Sequence, residues 1–169
     1  MTIIDEARDF TEKTYGDYKS RWLHTKRMYS FSMQYTDQFN ADKEVMALAA
    51  YLHDVGAAIS KPKHVEESVR LAEEFLSERN YPEDKKETIK NAIEAHHGDI
   101  ECKTIEAKLL KSLDGIELVS PHFSARLLYM PFGGKTLAEM VDFLLPKLDD
   151  GLSRIELDEL KPEAQRLYN

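Results

Sequence analysis

Val45-Met46-Ala47-Leu48-Ala49-Ala50-Tyr51-Leu52-His53-Asp54-Val55-Gly56 is the stretch on which the fold turns. An apolar helical run ends there on an adjacent imidazole and carboxylate. An isolated His-Asp pair says little. This one has company: His24 upstream, and His64, His96, His97 and Asp114 downstream, each on a segment that reads as helix. Five of the six histidines thus join one ordered series, His…His-Asp…His…His-His…Asp.

Working outward, nearly every segment reads as helix, with glycine and proline falling between segments. Helices are expected over about 3–14, 18–38 with Asp17 as N-cap, and 42–53. A fourth begins near Pro62, suited to a first helical turn, and runs to 79. A fifth runs from 82 to a stop at Gly98, and a sixth covers 104–119. Beyond Pro121, helices are expected over about 122–129 and 135–148, with a last one from 153 or 158 onward. No alternating strand pattern, internal repeat or low-complexity tract is present. Pro131-Phe132-Gly133-Gly134-Lys135 reads as a helix–helix connection; its likeness to a phosphate-cradling loop is faint, since no strand precedes it. The expectation is an all-α, single-domain helical bundle over 1–169.

At 169 residues the chain can bury a sizeable core without staples. No apolar run is long enough to span a bilayer, and the N-terminus lacks the pattern of a signal peptide. Cys102 is the only cysteine, which excludes an intrachain disulfide and fits a reducing interior, so a cytoplasmic location is expected. The net charge of −8 argues against a protein that coats nucleic acid, because phosphate backbones are held by basic surfaces. A small anion drawn to a metal-lined pocket is compatible with it.

Helical register places the polar series on inward faces. His24 shares a stripe with Met28, Phe31 and Tyr35, His53 follows Ala49 by one turn, and His64 leads Leu71 and Phe75. His96 and His97 extend the stripe of Ile89 and Ile93, and Asp114 falls between Leu110 and Leu118. Unpaired imidazoles and carboxylates in a core would each cost several kcal/mol, and a bound cation accounts for all of them together. Imidazoles mixed with carboxylates suit Mn, Fe, Co, Ni or Zn, with Mg at a water-rich position. Paired cysteines and a His-Glu-x-x-His helix are both absent, which sets aside a zinc finger and a metalloprotease.

The series resembles that of the HD-domain superfamily of metal-dependent phosphohydrolases, all-helical proteins named for their His-Asp pair. The likeness covers roughly residues 20 to 120. It implies that His24, His53, Asp54 and Asp114 hold one metal. In members with two metals the pair's Asp bridges both ions and further histidines are added, here His64, His96 and His97. Lys63-His64-Val65-Glu66 and His96-His97-Gly98-Asp99-Ile100-Glu101 resemble the HD-domain endoribonucleases of bacteria. The Gly-Tyr-Pro signature of the cyclic-dinucleotide phosphodiesterases is missing.

The resemblance implies hydrolysis of a small phosphate ester, a nucleotide or related metabolite, by a water whose pKa is lowered by divalent ions sharing Asp54. A di-iron oxygenase, a non-catalytic metal-binding module and a nuclease are the alternatives. Among flanking residues, Arg27, one turn beyond His24, either pairs with substrate phosphate or bridges to a neighbouring helix. Lys61 either faces the site or is solvated. Asp99 either orients a metal histidine or caps the helix break. His122 matches no motif. Glu66, Glu67, Glu73 and Glu74 read as a solvated face, while Tyr129, Phe132 and Lys135 are candidate pocket walls.

Overall fold

The computed structural model describes residues 1–123 and 136–169. Most of the helix expected over 122–129, and the loop with Tyr129, Phe132 and Lys135, lie outside the described residues. Eight α-helices are described: α1 (Ile3–Tyr15), α2 (Lys19–Tyr35), α3 (Lys43–Leu52), α4 (His64–Ser77), α5 (Glu83–Ala95), α6 (Ile105–Val119), α7 (Leu137–Ser153) and α8 (Lys161–Tyr168). The class is all-α, with no strand among the described residues. By their internal packing the residues group into two compact units, Met1–Leu110 and Lys111–Asn169, with the boundary inside α6.

The first unit is organised around α3. Asp42 caps it, its carboxylate accepting from the N–H groups of Glu44 and Val45 at 2.9 and 3.1 Å. Every side chain from Val45 to Leu52 is buried, against α1, α2 and α5. Each large apolar side chain removed from water stabilises the fold by about 1.5–3 kcal/mol. That burial offsets the cost of the polar pair at the helix's end. α1 starts on a Thr2–Asp5 capping box, and its Thr11 hydroxyl donates to the Tyr51 carbonyl at 3.1 Å. Arg79 beyond α4 returns to Glu6 of α1 at 2.6 Å.

Several boundaries differ from those expected. Gly16, at φ 52°, turns the chain sharply, so Asp17 stays in the turn and Tyr18 is the N-cap of α2, without a side-chain bond. α2 stops at Tyr35 rather than 38: the Thr36 hydroxyl bonds back to the Ser32 carbonyl and a 3-10 turn, Asp37–Phe39, closes on left-handed Asn40. α4 begins at His64, leaving Pro62 in the preceding turn, because the Lys61 carbonyl is engaged by the His64 ring at 3.1 Å. α5 ends at Ala95, three residues before left-handed Gly98, so His96 and His97 occupy its exit turn.

In the second unit, α7 runs on past 148 to Ser153, with Pro146 inside it. Gly151 reads as a breaker, yet it sits where α7 crosses α6 glycine to glycine. A Cβ on Gly115 would lie 2.5 Å from the Gly151 carbonyl oxygen. Arg154 ties the last turn to Asp150 at 2.6 Å. The C-terminal segment opens with a 3-10 turn, Asp158–Leu160, before α8.

Gly56 fixes where α4 begins. The chain leaves the His-Asp pair through a 3-10 turn, Val55–Ala58, packed against the first turns of α4. A Cβ at Gly56 would meet the Ser68 nitrogen at 2.4 Å, the His64 oxygen at 2.5 Å and the Glu67 carbonyl carbon at 2.7 Å, all main chain. The Gly56 N–H also donates to the buried Ser68 hydroxyl at 2.9 Å. Gly56→Ala is therefore expected to cost about 1–3 kcal/mol, as overpacking does. Thermal melting should register it as a fall of roughly 2–4 °C per kcal/mol. Ser68→Ala, which removes a bond but adds no clash, should cost less. An unchanged melting temperature in Gly56→Ala would refute this close approach.

Candidate metal centre

Apart from His24, which is inside α2, the polar residues of the first unit arrive on helix ends. His24 lies on α2, His53 is the C-cap of α3, Asp54 follows it, His64 opens α4, and His96 with His97 closes α5. Three of the rings are oriented by the same local bond. His53 Nδ1 lies 2.9 Å from the Ala50 carbonyl oxygen, His64 Nδ1 3.1 Å from that of Lys61, and His96 Nδ1 2.5 Å from that of Ile93. A carbonyl only accepts, so each Nδ1 carries the hydrogen. Each Nε2 is left with its lone pair, the form in which neutral histidine binds metal. Asn91 holds the segment that follows α5 in place, bonding the Glu101 carbonyl and the Lys103 N–H at 3.0 and 2.9 Å.

These lone pairs surround one carboxylate. His64 and His96 Nε2 each lie 3.6 Å from Asp54 Oδ1. His24 and His53 Nε2 lie 3.7 and 4.0 Å from Oδ2. Such separations exceed a hydrogen bond. They match donors that share an ion, since ligands about 2.1 Å from one cation stand roughly 3–4 Å apart. Asp54, His64, His96 and His97 each offer a donor atom within 4.8 Å of the others. Asp54 Oδ1 and His96 Nε2 are fully buried and have no hydrogen-bond partner among the described residues. An unmet buried polar atom costs about 1–3 kcal/mol, more when charged. His24 Nε2 and His53 Nε2 are 3.1 Å apart, and with His53's hydrogen committed on Nδ1 such a contact needs a proton or a cation between the rings. The donor set fits divalent metal.

Burial alone would push the Asp54 carboxyl up. The rings of His96 and His53, the Arg21 guanidinium and His24 outweigh it and hold the group well below the usual carboxylate range. Partial burial pushes the His64 imidazole down, against the pull of Asp54, which keeps it neutral and able to donate at pH 7. His64 and His97 are part-exposed while His24, His53, Asp54 and His96 are buried, so the centre opens to solvent on the His64–His97 side. The His97 ring packs edge-on to both His96 and His64, at 4.3 and 4.8 Å between centroids.

The other expected residues fall as follows. Asp114 belongs to the second unit, buried on α6, where Arg154 donates to its carboxylate. Arg27 is half-buried on α2. The Lys61 side chain is exposed, and what it brings to the centre is its carbonyl, which orients His64. Asp99 and His122 are exposed. Of the four glutamates, Glu67 and Glu74 pair with Arg70 and Glu73 with Lys90, and Glu66, 3.9 Å from Lys63, is the most exposed. Sequence reasoning missed Arg21. Its guanidinium Nη1 donates to Asp54 Oδ2 from one turn before His24 on the same helix, and a search one turn either way from His24 would have found it.

Residues 21–118 match the HD domain family. Ribonuclease Y of Desulforudis audaxviator is 36% identical over 87 residues, half of this chain but 15% of that protein. Ribonuclease Y of Syntrophomonas wolfei is 40% identical over 73 residues, 41% of this chain and 13% of its own length. The chain therefore spans a small fraction of the curated relatives it matches. Two solved structures share its fold at 18% identity. Bacillus subtilis YpgQ superposes with a TM-score of 0.72, covering 98% of this chain and 89% of its own. A predicted HD superfamily hydrolase from an uncultured Thermotogales bacterium superposes at 0.65, covering 96% and 89%. With that match spanning the His-Asp pair and the segments that supply the surrounding histidines, the chain belongs to the HD-domain superfamily.

Proposed function

We propose that this chain is a metal-dependent phosphohydrolase that cleaves a small phosphate ester, a nucleotide or related metabolite. The observation that carries the reading is a single buried carboxylate, Asp54, with imidazole Nε2 lone pairs gathered on each of its two oxygens. His24, His53 and Asp54 are assigned to one ion, with Asp114 as the further ligand that the family pattern supplies. Asp54, His64, His96 and His97 are assigned to the other. Divalent ions held there would supply Lewis acidity and bring a water's pKa toward neutrality. The chain's own part is to fix the donors: carbonyls of Ala50, Lys61 and Ile93 lock three rings, and Asp54 ties the two sets together. Arg27 and Lys61 are assigned to the substrate side of the centre.

A small substrate is supported by a groove of about 490 Å³ that starts at His64. Its walls are Pro62, Val65, Val69 and Ile100, and it carries the carboxylates of Glu66 and Glu94 and the ammonium of Lys63, 3.9 Å from Glu66. The chain's net charge of −8 opposes an extended polyanion. Cleavage of RNA is the second reading, favoured by the likeness to Ribonuclease Y over 41–50% of the chain.

Metal analysis tests the ligand assignment. The folded protein should hold about two divalent ions per chain, Asp54→Ala should lose nearly all of both, and His64→Ala should keep about one. Full metal content in Asp54→Ala would remove its bridging role. Activity separates the readings. With Mn, Mg or Co supplied anaerobically, inorganic phosphate should appear from nucleoside monophosphates and other small monoesters. Cleavage of RNA oligonucleotides with no turnover of small esters would establish the second reading instead. Strict dependence on iron and dioxygen, with no ester cleaved, would overturn both.

A further inference from the structure

Arg21 is the charged group closest to Asp54 that the ligand series does not include. It stands one turn before His24 on α2, so both side chains share a face. Its Nη1 donates to Asp54 Oδ2, the same oxygen that His24 and His53 Nε2 approach at 3.7 and 4.0 Å. The side chain is 21% exposed, so the guanidinium sits at the centre's edge with a path to solvent. Burial would weaken its charge, but Asp54 and a hydrogen bond that the guanidinium donates to the Tyr18 hydroxyl outweigh it, and the group stays charged.

Arg21 adds a positive charge at the edge of a centre that would also hold divalent metal, which favours an anion there. A guanidinium has five N–H donors in a planar fork, and one carboxylate oxygen and one phenol leave donors over. That fork matches two oxygens of a tetrahedral oxyanion. We propose that Arg21 is the phosphoryl-binding residue, clamping the substrate's non-bridging oxygens on the Oδ2 side of Asp54, with Tyr18 positioning the guanidinium. This assignment rests on the phosphohydrolase reading. A role confined to neutralising Asp54 is the competing account. It predicts changes in metal affinity and stability but none in oxyanion binding.

Calorimetric titration of inorganic phosphate into the Mn-loaded protein separates the two. Arg21→Gln should bind phosphate about 10- to 100-fold more weakly, the worth of lost hydrogen bonds to a charged group, at wild-type Mn content. Arg21→Lys, which keeps the charge but loses the fork, should fall between. Tyr18→Phe should show a smaller loss with unchanged metal. In turnover the Arg21→Gln deficit should fall on KM at least as much as on kcat. Wild-type phosphate affinity in both Arg21 variants, or a decline only in proportion to lost Mn, would overturn the assignment while leaving the phosphohydrolase reading intact. Failure of the Mn-loaded wild type to bind phosphate at all would overturn both.

Discussion

The buried carboxylate of Asp54 is the constraint that the first unit is built to satisfy. A charge taken out of water costs several kcal/mol unless it is compensated, and Asp54 is 2% exposed. Compensation comes from α2, α3, α4 and α5, each delivering a group from a defined register or helix end. His24 and Arg21 come from α2, His53 from the close of α3, His64 from the opening of α4, and His96 and His97 from the exit of α5. None of these groups is held by the carboxylate alone. Three rings are oriented by carbonyls three residues upstream, so their lone pairs are aimed before any ligand is involved.

The same logic explains the stretch after the pair. Asp54 and His64 are ten positions apart, yet their donor atoms stand 3.6 Å apart, so the intervening turn must double back on α4. Gly56 makes that possible, because its missing side chain lets the turn lie against α4 main chain. The apolar run that precedes the pair does the opposite task. Buried along its whole length, α3 gives His53 and Asp54 a fixed platform, and its burial supplies the free energy that a polar centre in the core would otherwise draw down.

The clustering of imidazoles about Asp54 was legible because such groups on inward helical faces are costly without a partner, and inwardness follows from a period of 3.6. Helices were legible as elements and less so at their ends, where Tyr18 rather than Asp17 caps α2 and His64 rather than Pro62 opens α4. One such end matters to the site. Adjacent residues on a helix point about 100° apart. His96 and His97 can serve the same centre because α5 has already ended at Ala95. Arg21 was passed over in favour of Arg27, which is equally spaced from His24. Helical side chains slant toward the N-terminus, so the patch that His24 covers lies over the preceding turn, where Arg21 is. Lys61 enters through its carbonyl, a group every residue has and no side-chain pattern marks.

Likeness of fold and likeness of sequence reach different extents here. The solved relatives cover nearly the whole chain at 18% identity, whereas the Ribonuclease Y likeness is confined to 41–50% of it in the two cases above. A shared helical frame leaves substrate choice to the groups placed on it. On the reading proposed above, those groups are unevenly placed about Asp54. A guanidinium lies on the Oδ2 side, and a groove lined by His64, Lys63, Glu66 and Glu94 adjoins the Oδ1 side. A substrate with one anionic end and an uncharged, partly apolar remainder satisfies both sides at once.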